Sequence, residues 1–193
     1  MSHATELIRF DDNPELDERV AARYPREEYG LTIVPMVASD WPMLERLLAD
    51  TPAEEQRFFR RGEADRTRVE RWCKQLDYRH TLPLLAWQDD RILADGVLER
   101  ESGLWSSHVG KIRLLVHPAE RRRGLGGMML RELIAVAAAL NLHKLVYECA
   151  AEQRSLIAFL KLLRFKEAAR LPEFIRDFQG GLHDLVVMVH ELG

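Results

Sequence analysis

The chain has little of several things, and each shortage narrows its chemistry. Two cysteines in 193 residues, Cys73 and Cys149, make no disulfide framework and lack metal-ligand spacing. No apolar run approaches the roughly twenty residues needed to span a bilayer, so no membrane partner is expected. The start, MSHATELIRFDD, lacks the basic end and apolar stretch of a signal peptide, and a reduced, cytoplasmic protein is expected. Net charge is only -3, so nothing draws the whole molecule to nucleic acid or anionic lipid. It also lacks an extended basic face with interleaved stacking aromatics, which excludes a nucleic-acid partner from the expectation. What remains, 47% hydrophobic and 31% charged residues, is the composition of a globular domain long enough to bury one full core.

Against that background one stretch stands out, KIRLLVHPAERRRGLGGMML at residues 111–130. Ile112, Leu114, Leu115 and Val116 read as a buried strand, which His117-Pro118 ends because proline cannot continue a ladder. Arg121, Arg122 and Arg123 follow, then Gly124, Gly126 and Gly127, then an apolar-periodic helix. In a strand, glycine-rich turn and helix, the free N–H groups at the helix start converge on one spot and bind an anion. Glycine lets the backbone approach a phosphate, and arginine supplies forked donors for its oxygens. The turn is not a Walker loop, since no Gly-Lys-Ser/Thr follows, and its glycines do not fall as GxGxxG.

The rest of the chain reads as one α/β domain without repeats or linkers. Residues 1–29 are strongly charged and are expected to form a surface extension with a short helix near residues 16–23; the domain proper is 30–193. A first strand spans residues 31–37, followed by a helix capped by Asp40 with Met43, Leu44, Leu47 and Leu48 as its stripe. Thr51 and Glu54 have capping-box spacing around Pro52, which predicts a second helix carrying Phe58 and Phe59 and stopping near Gly62. Val69, Trp72, Cys73 and Leu76 mark a third helix, whose arginines (Arg60, Arg61, Arg66, Arg68, Arg71) read as a solvated face. Strands at 82–87 and 92–98 flank Gln88-Asp89-Asp90-Arg91 as a hairpin, and residues 101–109 form a loop. The signature helix runs to about residue 140. A strand at 144–149, a helix at 153–163 and two closing strands joined across Gly180-Gly181 complete the chain.

The spacing Arg121-x-x-Gly124-x-Gly126 resembles the Arg/Gln-x-x-Gly-x-Gly/Ala signature of the GNAT acetyltransferase superfamily, and the order of elements from residue 31 onward is similar to that fold. The stretch from Gln153 through Leu156 and Leu160 to Phe165 resembles a second signature, Asn-x-x-Ala-x-x-x-Tyr-x-x-x-Gly-Phe. The resemblance implies an α/β (α+β) fold, a mixed, mostly antiparallel twisted sheet flanked by helices and splayed between the strand ending at Val116 and the strand at 144–149. It implies acetyl-CoA as cofactor. Leu114, Leu115 and Val116 would pair with the pantetheine amides, Gln153 would stand in for the asparagine on that arm, and Arg121, Arg122, Arg123, Gly124, Leu125, Gly126 and Gly127 would hold the diphosphate. An N–H at Leu115 or Val116 would polarise the thioester carbonyl, which an acceptor amine attacks directly.

The chain departs from the family at the catalytic positions. Leu160 stands where the tyrosine acid is usual and Arg164 where the glycine is, while Gly110, Lys111 and Ile112 supply no base early on the strand. Base candidates nearby are Glu99, Glu101, His108 and Glu148, and Tyr147 is a candidate acid. Cys149 has no basic neighbour in sequence to lower its pKa and is disfavoured as a nucleophile. The reading is an N-acetyltransferase acting on a primary amine of a small molecule, peptide or protein; the alternative is a CoA or acyl-CoA sensor that has lost catalysis. The C-terminal strand could pair across subunits to give a homodimer.

Overall fold

A computed structural model describes residues 16–59, 65–100 and 105–193. The expectations for residues 1–15, Arg60, Arg61, Gly62 and Glu101 lie outside the described residues. Among the described residues eight strands form one sheet in the order β1-β2-β3-β4-β5-β6-β8-β7. They are β1 (Arg26–Glu28), β2 (Leu31–Pro35), β3 (Thr81–Gln88), β4 (Arg91–Arg100), β5 (Val109–Val116), β6 (Lys144–Ala150), β7 (Lys166–Arg176) and β8 (Leu182–Glu191). All neighbours pair antiparallel except β5 and β6. The helices are α1 (Glu18–Ala21), α2 (Trp41–Ala49), α3 (Ala53–Gln56), α4 (Arg66–Lys74), α5 (Leu125–Ala139) and α6 (Arg154–Leu162). Among the described residues no helix is long and apolar enough to cross a membrane.

Strand alternation divides the core into two layers. Leu84, Ala86, Leu98 and Ile112 face α5 and α6 and pack with Met129, Leu133, Ile157 and Leu160. Leu85, Trp87 and Ile92 face the other way, onto Leu44, Leu47, Val69 and Cys73 of α2 and α4. Helix α5 lies close on β4: a Cβ on Gly96 would sit 3.1 Å from Leu133 Cδ1. The polar and charged flanks of α2 and α4 are left to solvent, as their stripes predict.

Two expectations change. Residues 16–29 contain the expected short helix, α1, but instead of lying on the surface they also add the edge strand β1 and bury Val20 and Tyr24 in the larger core. Their anchor is Glu132, a buried carboxylate on α5. It accepts hydrogen bonds from Tyr24 Oη at 3.0 Å, Arg23 Nη2 at 3.1 Å and Arg26 Nη1. The helix expected from Thr51 to Gly62 is the single turn α3, with Pro52 at its N-cap. Thr51 does not cap it; its hydroxyl is buried and donates back to the Leu47 carbonyl at 3.2 Å, closing α2 instead. Gln56 reinforces the reversal by donating to the Thr51 carbonyl at 2.8 Å.

One feature of the sheet creates a site. Parallel pairing of β5 with β6 is confined to Val109↔Lys144, Gly110↔Leu145 and Lys111↔Val146. Beyond that point β5 runs on to Val116 and β6 to Ala150 with no register between them. The paired end is tight, since a Cβ on Gly110 would meet Leu98 Cδ1 at 2.7 Å and Leu142 Cδ1 at 2.9 Å. The strands are therefore clamped at one end and open at the other.

Candidate active site

The open side of β5 is set by backbone direction. His117 N–H donates to Leu93 O of β4 at 2.8 Å, so Leu115, two residues earlier and opposite Asp95, also turns its peptide groups to β4. Leu114 and Val116 turn theirs toward the gap. The Tyr147 hydroxyl reaches across from β6, accepting from Leu114 N–H at 3.3 Å and donating to Leu114 O at 3.4 Å. Val116 O accepts from Arg121 Nε at 3.2 Å. Of the three β5 residues expected to present main-chain groups to a ligand, Leu114 and Val116 face the gap, and Leu115 does not.

At the open end lies the arginine-glycine turn. Arg122 and Gly124 both have positive φ, 60° and 91°, which bends the chain into the start of α5. Helix hydrogen bonding begins with Met128 N–H to Gly124 O at 3.0 Å, and Gly124 at the N-cap has no side chain to cap with. The N–H groups of Leu125, Gly126 and Gly127 are thus the free donors of the helix end. Gly124 is required by its left-handed φ of 91°, but the protein's own packing does not demand glycine at 126. A Cβ on Gly126 would make ordinary contacts of 3.5 Å to Val116 Cγ2 and 3.7 Å to Phe159 Cζ, and one on Gly124 would meet nothing. The absence of a side chain at Gly126 leaves the helix start open to the close approach of an anion.

The three arginines have different situations. Arg121 holds Glu55 of α3 through both terminal nitrogens, at 2.5 and 2.8 Å. Arg123 pairs with Glu120 at 2.8 Å. Arg122 is exposed and has no ion-pair partner among the described residues. Arg131, one helical turn beyond Gly127, adds a cation that sequence spacing did not flag; its Nη1 would lie 3.3 Å from a Cβ on Gly127. Gln153 closes the turn from β6 to α6, its Oε1 accepting from Ala150 N–H at 2.9 Å. Leu160 is fully buried in the core, so the usual acid position offers no proton here.

The candidate acid and bases separate by place. Tyr147 is in the gap, and burial pushes its phenol up to about 12, so it is a neutral donor near pH 7. Glu148, the next residue on β6, points to the opposite face, 3.9 Å from Lys111 Nζ where strand pairing ends. Glu99 lies on the same face, 3.4 Å from Arg113 Nε. His108 is not in the site. It precedes the first residue of β5, so with a strand rise of about 3.3 Å it lies roughly 25 Å from Val116, and its ring packs on His143 at 5.8 Å. Cys149 is buried, and desolvation raises its thiol to about 11, leaving no thiolate for nucleophilic work.

A cluster that the sequence reading missed borders the same end of the sheet. His183 of β8 lies between Glu152, 2.8 Å from Nδ1, and Asp177, 2.9 Å from Nε2. Phe58, just after α3, packs edge-on against the His183 ring at a 5.2 Å centroid distance. Its members come from three distant segments, and only Asp177 before Gly180-Gly181 carries a local signal, that of a turn whose N–H groups it accepts.

The acetyltransferase (GNAT) family model matches residues 41–165. No curated protein matches the chain. Among solved structures, an N-acetyltransferase from Staphylococcus aureus is 16% identical with a TM-score of 0.74, covering 84% of this chain and 99% of its own. The yncA protein of Salmonella typhimurium, solved with its cofactor acetyl-CoA, is 20% identical with a TM-score of 0.69, covering 85% of this chain and 95% of its own. A ribosomal-protein-alanine N-acetyltransferase from Brucella melitensis is 21% identical with a TM-score of 0.71, covering 83% of this chain and 99% of its own.

Proposed function

The chain belongs to the acetyltransferase (GNAT) family, whose cofactor is acetyl-CoA, and from that premise we propose that it transfers an acetyl group to a primary amine of a small molecule, peptide or protein. The observation that carries this is the juxtaposition of the free amides of Leu125, Gly126 and Gly127 with the unpaired edge of β5. Acetyl-CoA supplies an activated acetyl thioester. The helix start and Arg121, Arg122 and Arg131 would hold its diphosphate, and the peptide groups of Leu114 and Val116 would align its arm as an added strand does. Val116 N–H, whose direction is into the gap, is the donor for a carbonyl oxygen that gains charge.

Tyr147 takes the role that Leu160 cannot. Its hydroxyl is already within hydrogen-bond reach of the β5 backbone, and as a neutral phenol it can give a proton to a departing thiolate. Glu148 takes the amine's proton from the opposite face, where its carboxylate lies 3.9 Å from Lys111 Nζ. The acceptor enters from that face, where Glu99 and Glu148 give the cleft negative partners for a cationic amine. Similar solved structures carry the names ribosomal-protein-alanine N-acetyltransferase and, for a Vibrio cholerae chimera, spermidine N-acetyltransferase, in keeping with an amine acceptor.

The test is a melting-temperature and turnover pair on the full chain. CoA and acetyl-CoA are expected to raise the melting temperature, and thiol release from acetyl-CoA is expected to depend on one or more members of an amine panel. Replacing Gly126 with valine should remove the shift. No shift with either ligand would overturn the cofactor assignment. A shift without amine-dependent release would favour an acyl-CoA sensor over an enzyme.

A further inference from the structure

The segment 53–59 belongs to neither the sheet nor the long helices, yet it is tied at two points to chain ends that border the gap. Glu55 is held by both terminal nitrogens of Arg121, which follows β5. Phe58 rests against His183, whose carboxylate partner Glu152 follows β6. The Arg57 guanidinium lies 4.5 Å above the Phe58 ring and completes the second contact.

Arg121 is built to serve two anions. A guanidinium has five N–H donors. Two are on Glu55 and one on the Val116 carbonyl, which leaves one on each terminal nitrogen. The side chain is 34% exposed, so these remaining donors are reachable from solvent. A planar fork can hold a carboxylate and a phosphate together. Arg121 is also the first residue of the turn whose far end carries the free amides of α5.

We propose that Arg121 and Glu55 couple the cofactor turn to segment 53–59, so that binding of a CoA diphosphate orders one wall of the acceptor side before the amine arrives. Glu55 is in this view a positioning residue, acting on the acceptor side only through Arg121. The physical basis is shared ordering: a ligand that immobilises Arg121 also immobilises the carboxylate it grips, and a second ligand meets a wall already in place. The inference rests on the reading of this turn as the CoA diphosphate site, and the experiment separates the two.

Hydrogen exchange is followed by mass spectrometry on the full chain, with and without coenzyme A. In the wild type, CoA is expected to slow exchange both at 125–128 and at 53–59. In Glu55→Gln the slowing at 125–128 should persist while that at 53–59 is lost, a change of no more than about fivefold because the pair is half-exposed. Phe58→Ala keeps the Glu55 carboxylate and should retain the CoA response at 53–56. The coupling is overturned if 53–59 responds equally in Glu55→Gln, if it fails to respond in the wild type while 125–128 does, or if Phe58→Ala abolishes the response. Absence of any CoA effect at 125–128 overturns the cofactor reading itself, and the coupling with it.

Discussion

The Tyr147 hydroxyl lies 3.3 Å from the Leu114 amide nitrogen, bridging two parallel strands at a point where they have ceased to pair. One phenol satisfies both peptide groups of Leu114, so a ligand that pairs with β5 must take over bonds the hydroxyl now makes. That exchange would free the proton donor at the place where a thiolate departs. Tyr147→Phe should therefore lower kcat by about 10²-fold, at the lower end of what a positioned acid supplies. The KM for acetyl-CoA should not rise, because the competing hydroxyl is gone. Steady-state kinetics with a chosen amine measure both, and unchanged kcat would remove Tyr147 from the acid role.

The clamp at the other end of β5 makes a stability prediction independent of chemistry. A methyl group at Gly110 would sit 2.7 Å from Leu98, 2.9 Å from Leu142 and 3.0 Å from Leu145, all side chains of the packed core. Gly110→Ala should cost about 1–3 kcal/mol by overpacking. For a chain of this size that lowers the melting temperature by about 2–12 °C, while the CoA-induced shift keeps its size. A variant as stable as the wild type would mean that the strands separate there without cost.

Glu132 makes a third. Its carboxylate is nearly inaccessible, and it gathers Arg23, Tyr24 and Arg26 onto α5. The two arginines are 31% and 42% exposed, so water can take them back if the charge is removed. Glu132→Gln should therefore cost about 1–3 kcal/mol, the range for a buried hydrogen-bonding partner lost, rather than the larger penalty of a stranded buried charge. The loss should be local: trypsin should cut after Arg23 while β3 to β8 remain protected. Uniform loss of protection through the sheet would show that residues 16–28 are needed for the whole fold.

These residues also explain how far the sequence can be read. Apolar runs at 82–87 and 92–98, buried on both faces, and 3.6-residue stripes in 41–49 and 66–74, buried on one, report local burial, so the elements are legible and the family's fold follows. The phosphate turn is legible because its glycines and its helix are contiguous. Thr51 misleads because a capping box competes with burial, and burial draws its hydroxyl to Leu47. Residues 16–29 look like a solvated extension because their anchor, Glu132, is 106 to 109 positions away. Arg121 reads as a phosphate ligand, but its partner Glu55 is 66 positions distant and no local pattern names it. His108 is near β5 in sequence and far from the gap in space, because a strand carries its two ends apart. Side-chain partnership across the sheet is what a linear pattern cannot hold.

His183 gives the last prediction, through pH. Both ring nitrogens face carboxylates, Glu152 and Asp177, so only the imidazolium can donate to both. Hydrogen bonding to Glu152, then to Asp177, raises the imidazole above its ordinary 6.5. The same bonds from His183 hold the Glu152 and Asp177 carboxyls below their ordinary 4.5 and 3.8. Arg57 of the Phe58 segment also acts on Glu152, and Arg154, Lys161, Glu167, Arg170, Glu173 and Asp184 line the same concavity. The imidazolium's contribution is complete below 6.5 and is lost as pH rises through the raised value. The carboxylates' contribution is complete above 4.5 and is lost as pH falls through their lowered values. Stability from this cluster should thus be greatest between 4.5 and 6.5 and should decline toward alkaline pH. Urea midpoints of the wild type and His183→Gln measured from about pH 5 to about pH 8 should converge as pH rises. Midpoints that stay a constant distance apart would mean that the imidazole does not titrate between its two carboxylates in this range.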